Sequence, residues 1–151
     1  MRPSGVDRQD FRRSGENANL NSQGDVVTEK QVLVHYEEDV DAVDCPYGSV
    51  RRVVTGGAGG VANVHVVEVS RGTTHYHEAY DEIYYVLSGR GELVVDGERY
   101  SLRPGAVAVI PRGAPHSLCA AGREGEEGKL KFIIFGSPAM PIDDERAAPR
   151  K

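Results

Sequence analysis

The sequence predicts an all-β fold, a single antiparallel barrel or jelly roll between two polar tails. Three observations predict it. Short runs rich in valine, isoleucine and tyrosine recur about every eight to twelve residues, divided by glycine and proline turns, as in sandwiches and barrels. No segment combines a helical apolar period with helix caps. A length of 151 residues, 39% of them hydrophobic, suits one core with tails better than two domains.

Residues 1–30 mix Arg, Asp, Ser, Asn, Gly and Gln with little apolar content, too little to offset the entropy of ordering, and are expected to form a flexible N-terminal arm. The barrel domain is assigned to residues 31–138. Its first strand is expected at Gln31 to Tyr36, followed by a solvated acidic loop from Glu37 to Asp44. That loop lacks the glycine and closing glutamate of an EF-hand calcium loop. A second strand, Ser49 to Thr55, leads into Gly56-Gly57-Ala58-Gly59-Gly60. This stretch is read as a hairpin connection, because no Lys-Ser/Thr follows it and a strand, Val61 to Ser70, begins at once.

Strands are then expected at Thr73 to His77 and Glu82 to Leu87, with Gly89-Arg90-Gly91 turning into Glu92 to Val95. Asp96-Gly97 is a strong hairpin signal, because both central positions of a type I′ turn need positive φ. It joins Glu92 to Val95 to Glu98 to Leu102. Pro104-Gly105 turns into Ala106 to Ile110, and Pro111 to Ala114 turns into Pro115 to Cys119. Ala120 to Gly128 is a charged, glycine-rich loop before the last strand, Leu130 to Phe135. Residues 139–151, with Pro141, Pro149 and the run Asp143-Asp144-Glu145-Arg146, are expected to be a flexible C-terminal tail.

The formal charge of -5 and pI near 5.5 argue against nucleic acid and against an anionic membrane surface. No run approaches the roughly 18 apolar residues of a bilayer span. The polar stretch from Met1 to Leu20 lacks a signal-peptide core, so a cytoplasmic location is expected. Cys45 and Cys119 are expected as free thiols in that compartment and have no pattern of a zinc knuckle.

The residues that point to chemistry are His75, His77, Glu82 and His116. Residues i and i+2 of a strand share a face, so His75 and His77 present two imidazoles side by side. Glu82 opens the next strand, and His116 follows the Pro111 to Pro115 turn, where it can approach from a neighbouring strand. Three nitrogens and one carboxylate suit one divalent Fe, Mn, Ni, Co or Zn ion. Four protein ligands leave positions open on an octahedral ion for water or substrate. Taken singly, each residue is more often an ordinary core, strand-end or turn residue; the combination carries the assignment. Alternation places Tyr84 on the face of Glu82, making these two the candidates for catalysis. Tyr85 points outward, Tyr80 lies in the preceding loop where it can gate the entrance, and Lys131 alternates away from Phe132 to the surface. Gly89-x-Gly91 lacks the third glycine and helix of a dinucleotide site.

These residues also carry a resemblance. His75-x-His77, four residues, Glu82, six residues and Gly89 resemble the first motif of the cupin superfamily. Gly105, five residues, Pro111-x-Gly113, two residues and His116 resemble the second, and the fifteen residues between Gly89 and Gly105 match the shortest spacing of small microbial cupins. Gly72 stands nearer to His75 than the pattern has its opening glycine, and Ala120 stands where the second motif usually ends in Asn; neither supplies a ligand. The resemblance, from about Gln31 to Phe135, implies a double-stranded β-helix with a metal in its mouth and a homodimer, in which an N-terminal segment commonly exchanges strands. It also implies a small-molecule substrate or ligand. The fold hosts many functions. A metal-dependent enzyme is favoured over a binding module, with dioxygenase chemistry on enols, thiols or phenols placed ahead of isomerase or lyase chemistry on a sugar derivative.

Overall fold

A computed structural model describes residues 19–20, 26–27, 32–45, 48–56, 61–122, 128–139 and 144–148. The chain divides into two compact units, Met1–Val32 and Leu33–Lys151. In the first, β1 (Asn19–Leu20) pairs antiparallel with β2 (Val26–Val27). The remainder of the expected N-terminal arm lies outside the described residues.

The second unit holds β3 (Val43–Cys45), β4 (Gly48–Val54), β5 (Asn63–Val69), β6 (His75–His77), β7 (Asp81–Ser88) and β8 (Gly91–Val95). It continues with β9 (Glu98–Leu102), β10 (Val107–Ile110), β11 (His116–Ala120), β12 (Leu130–Ser137) and β13 (Glu145–Ala147). Six of these form one antiparallel sheet in the order β10-β7-β12-β5-β4-β3, and five form a second in the order β13-β6-β11-β8-β9. One buried cluster joins the sheets, drawing Val67, Val69, Tyr84, Val86 and Phe132 from the first and Leu93, Leu102 and Leu118 from the second. The fold is the all-β double-stranded β-helix that the sequence predicts.

Local chemistry accounts for the strand boundaries. Along β7 the inward positions Glu82, Tyr84 and Val86 are buried while Tyr85 and Leu87 between and beyond them are exposed, the period of two of a sheet with one packed face. Asp96 and Gly97 both have positive φ, 51° and 89°, and join β8 to β9 as the Asp-Gly pair predicts.

Three segments differ from expectation. Residues 32–36 form no strand: Val32 and Val34 are 83% and 69% exposed, and no sheet edge among the described residues pairs with them. The expected acidic loop is partly ordered. Glu37–Asp39 makes a 3-10 turn, and Val43–Cys45 adds β3 to the edge of β4. Glu37 reaches Lys131 at 2.7 Å, and Arg51 donates to the Val40 carbonyl, so basic residues of the sheet hold the acidic segment against it. Finally, residues 144–148 of the expected C-terminal tail extend the five-stranded sheet, with Glu145, Arg146 and Ala147 opposite His77, Tyr76 and His75. Their ladder partners lie on β6, and short charged sequence gave no strand period. Residues 57–60 and 123–127, within two of the expected loops, lie outside the described residues.

Gly89 and Gly105 have nearly the same φ, 83° and 85°, but different surroundings. A Cβ on Gly89 would lie 2.1 Å from the Lys129 carbonyl oxygen, whereas Gly105 has nothing within 4 Å. Gly105→Ala is expected to cost about 1 kcal/mol, the strain of left-handed backbone. Gly89→Ala is expected to cost about 3 kcal/mol, since backbone must also move. Equal urea midpoints for the two variants would contradict this account.

Candidate metal centre

The two sheets meet at the four residues singled out from the sequence. His75 and His116 are direct cross-strand partners on β6 and β11, and His77 lies two residues further along β6 on the same face. Glu82 enters from β7, in the opposite sheet. All four are buried, and one ligating atom from each lies within 4.8 Å of the others. The ring centroids of His75 stand 4.3 Å from His116 and 5.1 Å from His77.

Each imidazole is oriented through its outer nitrogen. Nδ1 of His75 lies 3.2 Å from the Thr73 carbonyl, Nδ1 of His77 3.2 Å from the Asp144 carbonyl, and Nδ1 of His116 2.9 Å from the Ala114 carbonyl. A carbonyl only accepts, so each Nδ1 carries the proton and donates. In the neutral rings this leaves all three Nε2 lone pairs for the centre. Histidine ligands are characteristically oriented by such a bond from the other ring nitrogen. The donor set and its preset tautomers therefore fit a divalent transition ion.

Glu82 sits between the rings, its Oε1 3.4 Å from His77 Nε2 and its Oε2 3.2 Å from His116 Nε2. The Tyr84 hydroxyl donates to Oε2 at 2.8 Å and lies 3.2 Å from His116 Nε2. Burial opposes ionisation of Glu82, but when His116 and His77 also hold a proton on Nε2 their hydrogen bonds and positive charge keep the carboxyl well below the usual range. Burial likewise pulls His77 down, yet Glu82 and the Asp144 carbonyl raise it overall. His75 is lowered to about 4, first by burial and then by His116.

The surroundings of the centre are pinned by both ends of the barrel. Gly113 donates its N–H to the His77 carbonyl at 2.6 Å, and the Arg112 Nε meets Asp81 Oδ1 at 3.0 Å, fixing the turn before His116 to the strand of Glu82. Asp144 is 8% exposed and accepts from the N–H groups of Glu78 and Ala79 at 3.1 and 2.9 Å. Tyr80 is buried and stacks on His77 with centroids 4.5 Å apart.

The centre lies in a cavity of about 740 Å³, open solvent at its mouth included, which Arg52, Asn63, His65, Tyr80, Tyr84 and Glu145 help to line. Sequence reading placed His75, His77, Glu82, Tyr84 and His116 together, and the structure does bring them together. It missed Asp144 and Glu145, which sit in a charged run with no strand signal, and His65 and Arg52. Alternation along Val61 to Ser70 puts His65 on the face of Asn63 and Val67 and was a legible signal. Cys45 and Cys119 are half-buried free thiols. Among the described residues no helix is long and apolar enough to cross a membrane.

A barrel of two antiparallel sheets with a buried His-His-Glu-His centre defines a class of β-barrel proteins with a metal-compatible site. Residues 63–134 match the cupin domain, and the barrel has the cupin fold. It is 31% identical over 72 residues to the pectin degradation protein KdgF of Dickeya dadantii, covering 48% of this chain and 62% of that protein. It is 51% identical over 43 residues to quercetin 2,3-dioxygenase of Bacillus subtilis, covering 28% of this chain and 13% of that enzyme. The solved structure of KdgF from Halomonas sp. superposes with a TM-score of 0.61 at 26% identity, covering 73% of this chain and 96% of that one. The chain spans between 35% and 62% of the length of three of the curated relatives that it matches.

His75→Ala and His116→Ala are each expected to lose most bound metal, read by elemental analysis after reconstitution. Asp144→Ala keeps the carbonyl that accepts from His77 but removes the carboxylate that ties its segment to Glu78 and Ala79, and is expected to retain the metal with affinity lowered about tenfold as that carbonyl loses its fixed position. Stoichiometric metal in both histidine variants would refute the site.

In the metal-free chain His75 is held neutral, with its pKa lowered from 6.5 to about 4. A depressed value means the folded state binds fewer protons than the unfolded one. The stability it contributes is present above pH 6.5 and is lost as pH falls towards 4. His77, raised, contributes in the opposite sense. Chelator-treated protein is expected to lose melting temperature between pH 6.5 and 4, and His75→Gln to lose less; parallel curves would contradict the assignment.

Proposed function

We propose that the chain is a metal-dependent enzyme in which His75, His77, Glu82 and His116 hold one divalent ion, and that it catalyses non-oxidative proton-transfer chemistry on a small hydroxylated or carbonyl-bearing molecule. Isomerisation, elimination and ring opening of a sugar derivative belong to this class. The observation that carries the reading is the buried four-residue centre, preset by three Nδ1 hydrogen bonds, within an open cavity. A divalent ion there supplies Lewis acidity, polarising a bound oxygen.

The chain's own groups supply the rest. Tyr84 lines the cavity and shares its hydroxyl proton with Glu82, so it stands ready to hand a proton to substrate or take one back. Glu82 is a weak base because its carboxyl is held so far down, which suits it to ligation. Tyr80, stacked on His77 at the cavity wall, excludes water from one side. Likeness to KdgF in sequence over 72 residues and in structure over 73% of the chain supports this choice.

The second reading is a dioxygenase, favoured by 51% identity with quercetin 2,3-dioxygenase across 43 residues. It uses the same ligands with a redox-active ion. A homodimer and a cytoplasmic location accompany both readings as expectations.

The test reconstitutes the purified chain with Fe(II), Mn(II), Ni(II), Co(II) or Zn(II). Oxygen uptake and product NMR are then followed across enols, thiols, catechols, uronates and keto sugars. Metal-dependent conversion without oxygen consumption is expected. Stoichiometric oxygen uptake would replace this reading with the second, and absence of metal after reconstitution would sink both. Tyr84→Phe is expected to keep its metal and lower turnover on the reacting substrate by roughly 100-fold, the scale of one positioned proton donor.

A further inference from the structure

One row of the six-stranded sheet runs from the outer strands to the metal centre. Arg52 on β4 is registered with His65 on β5, His65 with Ile134 on β12, and Ile134 with Tyr84 on β7. Residues in register share a face, and all four line the cavity. The Tyr84 end of the row touches Glu82 and His116. The other end carries two nitrogen groups that the proposed chemistry does not use.

Among the described residues both groups lack a protein counterpart. Among the described residues no carboxylate lies within ion-pair distance of Arg52, and no hydrogen bond engages its guanidinium. The Nε2 of His65 is buried and has no hydrogen-bond partner among the described residues. A buried nitrogen left unmatched costs about 1–3 kcal/mol, so its retention in a cavity wall calls for a partner that arrives with the ligand. Burial, and then the neighbouring Arg52, lower the pKa of His65, so the imidazole stays neutral and Arg52 is the charge of this wall. A neutral imidazole can donate from Nε2 beside the planar fork of a guanidinium. Together they match an oxyanion: two parallel N–H groups from arginine and one from the ring.

Resting on the reading of this cavity as the substrate site, we propose that Arg52 and His65 form an oxyanion receptor and that the substrate is a small acid, bearing a carboxylate or a phosphate at one end and the oxygen that meets the metal at the other. Arg52 supplies affinity and His65 direction. The intervening Ile134 gives the row an apolar stretch, suited to a carbon skeleton between the two polar ends. A neutral sugar would leave Arg52 facing a hydroxyl and lose the charge-assisted bonds.

The test uses the full chain loaded with Co(II), with cobalt content measured first. D-galacturonate, D-glucuronate and D-glucose 6-phosphate are titrated by calorimetry against D-galactose and D-glucose, in wild type and in Arg52→Gln, Arg52→Lys and His65→Gln. At least one acid is expected to bind tenfold or more tightly than its neutral counterpart in wild type. Arg52→Gln is expected to abolish the preference with cobalt unchanged, and Arg52→Lys and His65→Gln to reduce it. Tighter binding of the uronates identifies the anion as carboxylate, and of the phosphoester as phosphate. If Arg52→Gln does not fold, the Arg52→Lys and His65→Gln comparisons decide. Equal binding of acids and neutral sugars in wild type, or a preference unchanged in the variants, overturns the receptor. A chain that binds no cobalt but keeps the preference refutes the metal reading and leaves the receptor standing; a cobalt-loaded chain without the preference refutes the receptor alone.

Discussion

Glu82 brings a carboxylate into a part of the barrel where it is 4% exposed. An ionised group removed from water costs several kcal/mol unless opposite charge and hydrogen bonds replace the solvent. Here the replacement comes from the opposite sheet: His77 and His116 against its two oxygens, with Tyr84 donating from its own strand. The six-stranded sheet therefore contributes the negative charge and the five-stranded sheet the nitrogens that neutralise it. Without an ion, His77 can meet that charge by holding a proton, which is why its pKa is raised. A divalent cation would satisfy the same carboxylate with far greater charge, so ion and proton compete for one position, and metal binding should release protons.

The second constraint is directional. A strand places a histidine on a face but leaves its ring free to turn. Thr73, Ala114 and Asp144 remove that freedom by accepting from the three Nδ1 groups. Two of these carbonyls lie two residues before the histidine they hold. The third belongs to a segment 67 positions away, which docks as β13 on β6 and satisfies two further backbone N–H groups through the Asp144 carboxylate. The centre thus depends on the C-terminal part of the chain for the orientation of one ring, although none of the four ligands His75, His77, Glu82 and His116 comes from there.

The legible features were those with a repeat or a paired turn signal. Val, Tyr and Ile alternation exposed β7, and Asp96-Gly97 fixed the β8–β9 hairpin, because period two and positive φ are written in residue type. The cluster was legible because His75 and His77 share a face on any strand and because glycines and prolines set the distance to His116. What escaped was carried by pairing. Residues 32–36 have strand-like composition but no edge to join, and Val43–Cys45 and Glu145–Ala147 have charged, three-residue sequences that become strands through β4 and β6. A single chain records its partners across a sheet only weakly, which is also why the row from Arg52 to Tyr84 emerges from register and not from sequence.

That row breaks a rule kept at neighbouring inward positions. Val67 and Phe132 fill neighbouring inward positions with apolar surface, and Asp144 satisfies the backbone that it covers. At His65 a leucine of similar size would remove an unmatched buried nitrogen, and at Arg52 an apolar residue would remove a cation with no counter-charge among the described residues. Stability alone would favour both replacements. Local violations of this kind concentrate where a site is shaped for something outside the chain. The violations share one wall, one register row and one chemical sense, donors awaiting an acceptor, and the row ends at the tyrosine that touches Glu82. An unrelated packing defect would have no reason to point its donors into the cavity that also holds the metal centre.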